Sequence, residues 1–121
     1  MCIIAVCEKR KMTKTEAENC FKNNKDGAGL GWSKDGESHY IKGLMSFDEF
    51  WYFYETADIL PHVAHFRNET SGGVKPELTH PFIISKDSRL PLIYDGKESI
   101  LFHNGVLRSW DDDLLDFYIK K

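Results

Sequence analysis

Two capping-box patterns constrain this chain more than any other feature. Thr13 stands three residues before Glu16 and Ser46 three before Glu49, each ahead of apolar residues at helical spacing. In such a box the hydroxyl accepts a backbone N–H from inside the first turn, and the Glu carboxylate accepts that of the cap, so each pattern predicts a helix start. Ala17, Cys20 and Phe21 carry the first helix to about residue 23, and Phe47, Phe50, Trp51 and Tyr54 give the second an aromatic face. Between them, Asn23-Asn24-Lys25-Asp26-Gly27 is turn chemistry leading to a strand over 28–33. Lys34-Asp35-Gly36 then connects that strand to a hairpin mate over 38–43.

The remaining pattern is mostly extended. Residues 2–8 are an apolar run that predicts a strand buried on both faces. A further strand is expected at 62–66, followed by a polar loop over 68–81 whose length favours a functional role. Strands are expected again near 82–85, 91–94 and 99–103, then an Asn104-Gly105 turn and a last helix from Trp110 to Ile119. The reading is α+β, with mainly antiparallel strands, about three helices and one domain over 1–121.

Charge and composition exclude several function classes. The net charge of −3 carries no basic block, so nucleic acid is not an expected partner. No apolar run approaches the ~20 residues of a bilayer span, and 1–7 lacks the basic leader of a signal peptide, so no membrane role is expected. The three cysteines Cys2, Cys7 and Cys20 are odd in number and form no CxxC, which points to a reducing, cytoplasmic setting. His62 and His65, three apart on a strand, should face opposite ways, and neither a metal nor a cofactor is expected.

Cys2 has one property that its neighbours lack. Methionine before a small residue is a substrate for initiator removal, which would leave a thiol and a free α-amine on one residue. An α-amine titrates near pH ~8, so it can serve as the base for its own thiol without a histidine. The competing reading is a small apolar residue on a buried strand, and from position alone that reading is favoured.

Four segments alter the balance: Met1-Cys2-Ile3-Ile4; Lys25-Asp26-Gly27-Ala28-Gly29-Leu30-Gly31; Ala64-His65-Phe66-Arg67-Asn68-Glu69-Thr70-Ser71-Gly72 closing with Thr79-His80-Pro81-Phe82; and Phe102-His103-Asn104-Gly105. Together, in this order, the chain resembles the class II glutamine amidotransferases, whose domain belongs to the N-terminal nucleophile hydrolases. The resemblance implies an αββα sandwich, here incomplete because that domain is considerably longer. It implies catalysis by Cys2, with the Asn104 side-chain amide and the Gly105 N–H forming the oxyanion hole. On the substrate side it implies Arg67 and Thr70 at the glutamine α-carboxylate, Gly27 in the loop beside the nucleophile, and His80 as support. A guanidinium fork suits a carboxylate because it offers two parallel charge-assisted bonds.

The activity so implied is hydrolysis of the glutamine side-chain amide to glutamate and ammonia. Its partners would be glutamine and either a synthase or acceptor protein or a second copy covering the incomplete sandwich. Two other readings stand beside it: a relative that has lost turnover and binds a protein or small ligand, and a hydrolase of another amide. No residue here matches the family's acidic contact to the substrate α-ammonium.

Overall fold

The computed structural model describes residues 2–69, 73–86 and 89–104. Its elements in chain order are β1 (Ile3–Cys7), α1 (Lys14–Asn23), β2 (Ala28–Lys34), β3 (Glu37–Leu44), α2 (Phe47–Thr56), β4 (His62–Phe66), a 3-10 turn (Pro76–Leu78), β5 (Phe82–Ile83), β6 (Ile93–Gly96) and β7 (Ile100–Leu101). The expected last helix, 110–119, lies outside the described residues.

Both helices begin where the capping pattern puts them. Thr13 Oγ1 accepts Glu16 N–H at 3.2 Å while Glu16 Oε1 accepts Thr13 N–H at 2.9 Å, which closes the box. Arg10 pairs with the same carboxylate at 2.8 Å, and together with the Thr13 N–H it holds Glu16 down at about 2. At α2, Ser46 Oγ accepts Glu49 N–H at 3.1 Å. The hairpin turns through Asp35 and Gly36, both at positive φ (53° and 78°), the left-handed pair that a tight two-residue connection requires.

Five strands form one antiparallel sheet in the order β1-β4-β2-β3-β6. Strand alternation separates its faces. Phe66 and Ala64 point to the side where α1 and α2 lie: Phe66 packs edge-on to Phe21 at 6.3 Å and against Phe50 at 5.1 Å, and Ala64, Phe66, Ala28 and Phe50 are fully buried. His65, between Ala64 and Phe66, points the other way, while His62 turns toward α2 and meets Tyr54 Oη at 3.0 Å. The expected opposition of the two histidines is therefore present.

The second face carries a small two-stranded sheet, β5 with β7, where the incomplete-sandwich reading expects a bare surface. Gly29 and Gly31 explain the close approach. A Cβ on Gly29 would collide with the His80 carbonyl, and one on Gly31 would meet Ile100 and Phe102 side chains at 2.9 Å. Lys42 is covered by the same layer, with Nζ donating to Pro81 O at 3.0 Å and lying 4.4 Å from the Phe82 ring. Burial pushes that amine down to about 8. The cover is partial: beside it lies a cavity of about 480 Å³ lined by Val6, Gly31, Val63, Ile100 and Phe102. Among the described residues no helix is long and apolar enough to cross a membrane.

Candidate functional site

The register of three strands assembles the site. Ile3 pairs with Phe66, and Phe66 with Ala28, so the residues just outside these pairs (Cys2, Arg67 and Gly27) fall side by side at one end of the sheet. The ladder continues one step further, with Arg67 N–H donating to Gly27 O at 2.8 Å and Asp26 N–H to Arg67 O at 2.9 Å.

Cys2 is half-buried, and its sulfur lies against Asn68. Asn68 N–H donates to Sγ at 3.4 Å, and the thiol faces Asn68 O at 3.7 Å. A neutral thiol can donate to that carbonyl, and the sulfur can accept from the N–H. Asn104 arrives from the chain leaving β7 and holds residue 2 by both backbone groups. Cys2 N–H donates to Oδ1 at 2.9 Å, and Nδ2 donates to Cys2 O at 2.8 Å. This reciprocity fixes which way the carboxamide points. A carboxamide carries two N–H donors, and Cys2 O takes one of them.

Arg67 is buried at 6% exposure, and Nη1 donates to Gly73 O at 2.6 Å. It therefore ties the loop after β4 to the end of the sheet. Asp26 Oδ2 accepts Glu69 N–H at 2.8 Å, and Glu69 Oε1 accepts Gly73 N–H at 3.1 Å, so the same loop is held from three directions. Gly27 sits at φ +112° with no room for a side chain, since a Cβ would lie 2.5 Å from Thr79 Cγ2 and 2.9 Å from Met45 Sδ. Strain and overlap together predict that Gly27→Ala destabilises the fold by about 2–4 kcal/mol. Chemical denaturation measures it, and a loss under about 1 kcal/mol would show that the loop can shift.

His80 lies beneath this end of the sheet, enclosed by other side chains. It is 5% exposed, its ring stacks on His65 at 3.9 Å and 11°, and Nδ1 accepts His103 N–H at 3.3 Å. His103 also packs edge-on at 4.3 Å, and its carbonyl accepts from His65 Nε2 at 3.3 Å. Burial first, and then the neighbouring imidazoles, push His80 down to about 2; burial likewise takes His65 to about 4. Among the described residues no three His, Cys, Asp or Glu side chains converge as metal ligands.

No family model, curated protein or solved structure matches this chain. The functional reading therefore rests on the residues themselves. Of those singled out in the sequence, Cys2, Asn104, Arg67 and Gly27 gather at one end of the sheet, with His80 a layer below. Thr70 and Gly105 lie outside the described residues. Asn68 carries no sequence sign of this contact, because it touches the sulfur through its backbone, which leaves no side-chain signature.

Proposed function

We propose that the protein is a glutamine amidohydrolase of the N-terminal nucleophile type, with an αββα-like core, Cys2 as nucleophile and the α-amine of residue 2 as base. One observation carries the reading: Asn104 grips the backbone of Cys2 while the Cys2 sulfur rests on the peptide groups that follow Arg67. With Met1 removed, the Cys2 nitrogen keeps a hydrogen for Asn104 Oδ1 and presents its lone pair to its own thiol. The amine takes the S–H proton as sulfur attacks the amide carbon. The carbonyl oxygen becomes an oxyanion, to which Asn104 can give its second N–H. Collapse breaks the C–N bond, and ammonia leaves with the proton from the ammonium. Water, deprotonated by the same amine, then cleaves the thioester to glutamate and restores the thiol.

Arg67 is the residue for the α-carboxylate, and its place just after β4, next to Asn68, sets the distance between that end of glutamine and the sulfur. Its burial and its bond to Gly73 O also favour a second reading, in which the arginine is structural and the chain binds without turnover.

Intact mass before and after exposure to an electrophilic glutamine analogue separates the two. Loss of Met1 and a single adduct on Cys2, with ammonia release from glutamine that Cys2→Ala abolishes, is the expected result. Retained Met1 with no adduct, or equal release by Cys2→Ala and wild type, ends the amidohydrolase reading.

A further inference from the structure

Among the described residues β7 pairs with β5 alone, and the last pair is Phe82 with Leu101, so Asn104 lies past the end of its ladder. The residue before it is held instead by two imidazoles. His103 N–H donates to His80 Nδ1 at 3.3 Å, and His103 O accepts from His65 Nε2 at 3.3 Å. That carbonyl and the Asn104 N–H are parts of one planar unit, so the His65 bond fixes the peptide from which the Asn104 side chain starts. His65 is itself a fixed point. It is fully buried, paired with Ile4 on one side and Gly29 on the other, and stacked on His80 at 3.9 Å. Packing does not account for an imidazole here. To donate through Nε2 the neutral ring leaves Nδ1 bare, and that buried nitrogen has no hydrogen-bond partner among the described residues. Phenylalanine would fill the stack with no polar atom to strand, but it could not supply the N–H to His103 O.

We propose that His65 is a positioning residue for Asn104: its Nε2–H holds the His103 carbonyl and so keeps the Asn104 carboxamide on the backbone of residue 2. The bearing on turnover rests on the reading of Asn104 as the oxyanion donor; the holding itself does not. One strand then sets both ends of the site, since Arg67 follows β4 directly and Asn104 is reached from β4 through His65.

His65→Phe and His65→Gln separate this role from packing. The first keeps a ring and loses the donor; the second loses the ring but carries an amide nitrogen the same number of bonds from Cα as Nε2. Two rates read how often the His103–Asn104 segment opens. One is hydrogen exchange at the His103 N–H, whose own acceptor on His80 is present in both variants. The other is loss of the Asn104 side-chain amide, to which an Asn followed by Gly is prone. In that reaction the Gly105 nitrogen attacks Cγ, the C–N bond breaks, ammonia leaves, and water opens the imide to Asp or isoaspartate; the carboxamide has to leave residue 2 first. One hydrogen bond predicts that both rates rise about fivefold in His65→Phe and return to the wild-type values in His65→Gln. Exchange at Ile84, whose N–H donates to Ser99 O at 2.8 Å beside β5, should stay unchanged. Packing alone predicts the reverse order, because Gln empties the stack. Unchanged rates in His65→Phe, a looser His65→Gln, or a rise shared by Ile84 would overturn the proposal. If His65→Phe does not fold, the nitrogen resonances of the wild-type imidazole decide. A proton on Nε2 upholds the bond, and a proton on Nδ1 alone removes it. Neither rate needs glutamine, so the two ideas fail separately. Faster rates in a protein that releases no ammonia from glutamine keep the role of His65 and end the amidohydrolase reading, and release with unmoved rates does the reverse.

Discussion

Lowering the pH from 7 to 5 is expected to remove about 4 kcal/mol of folding free energy, a large share of the roughly 5–15 kcal/mol that a domain possesses. The cause is the pair of stacked imidazoles beneath the site. His65 and His80 are pushed down to about 4 and about 2, each chiefly by burial, so the folded protein refuses protons that the unfolded chain accepts near pH ~6.5. The direction follows from that inequality. Above the unfolded value both states are neutral and nothing is lost. Below it the unfolded state binds more protons, and stability falls with pH, down to about 4 for His65 and further for His80. Each group contributes about 2 kcal/mol at pH 5.

Urea unfolding at a series of pH values checks this, since this pair should contribute the uptake of about two protons to the slope at pH 5, with His62, also lowered by burial, adding in the same sense. His80→Asn retains an oxygen to accept His103 N–H and should lower the slope by about one proton, whatever it costs at neutral pH. A flat wild-type profile between pH 6.5 and 5 would mean that the rings take up protons in place and separate without unfolding. The lowered carboxyl of Glu16 adds loss of the same sign below about pH 4.5, but its exposure keeps that contribution small.

What could be read from the sequence depends on whether a residue acts through its side chain and near neighbours. Thr13 with Glu16 gave a helix start because the whole box lies within four residues, and Asp35-Gly36 gave the hairpin for the same reason. The later strands were less legible. The strand expected over 91–94 runs from Ile93 to Gly96, because Pro91 has no N–H for a ladder and pairing with β3 begins at Ile93 opposite Ile41. Strands expected over 82–85 and 99–103 shorten to two residues each, since their apolar side chains are used to cover the main sheet and not to extend a ladder. Lys42 carries no sequence sign of burial. Alternation places it on the second face, and only the layer above, with Pro81 O as acceptor, encloses it.

The site divides along the same line. Cys2, Arg67 and Asn104 could be picked out because thiol, guanidinium and carboxamide are chemically distinctive. Asn68 and Glu69 contribute an N–H and a C=O that any residue could supply, so only the register of β1, β4 and β2 brings them into view. Asp26 stands between these cases: its type suits a turn, and its bond to Glu69 N–H appears only once the strands are placed.

Replacing Asn104 by Ala should lower kcat for glutamine by about 10²–10³-fold, the usual cost of one oxyanion donor, while KM changes little. On the proposed reading the two ends of the substrate are held by different segments: Arg67 follows β4 and Asn104 follows β7, so losing the carboxamide leaves the carboxylate end intact. Asn104 also differs from a simple donor, because Oδ1 fixes the nitrogen of residue 2 and Nδ2 its carbonyl. Asn104→Asp separates the tasks. It keeps an acceptor for the residue 2 nitrogen but supplies no N–H and sets a negative charge beside the developing oxyanion. It should therefore turn over no faster than Asn104→Ala. If Asn104→Asp instead recovered most of the wild-type kcat, holding the α-amine would be the main task of this side chain and the oxyanion would need another donor. A raised KM at unchanged kcat in Asn104→Ala would remove it from the chemical step altogether. Steady-state ammonia release across a range of glutamine concentrations distinguishes the three outcomes.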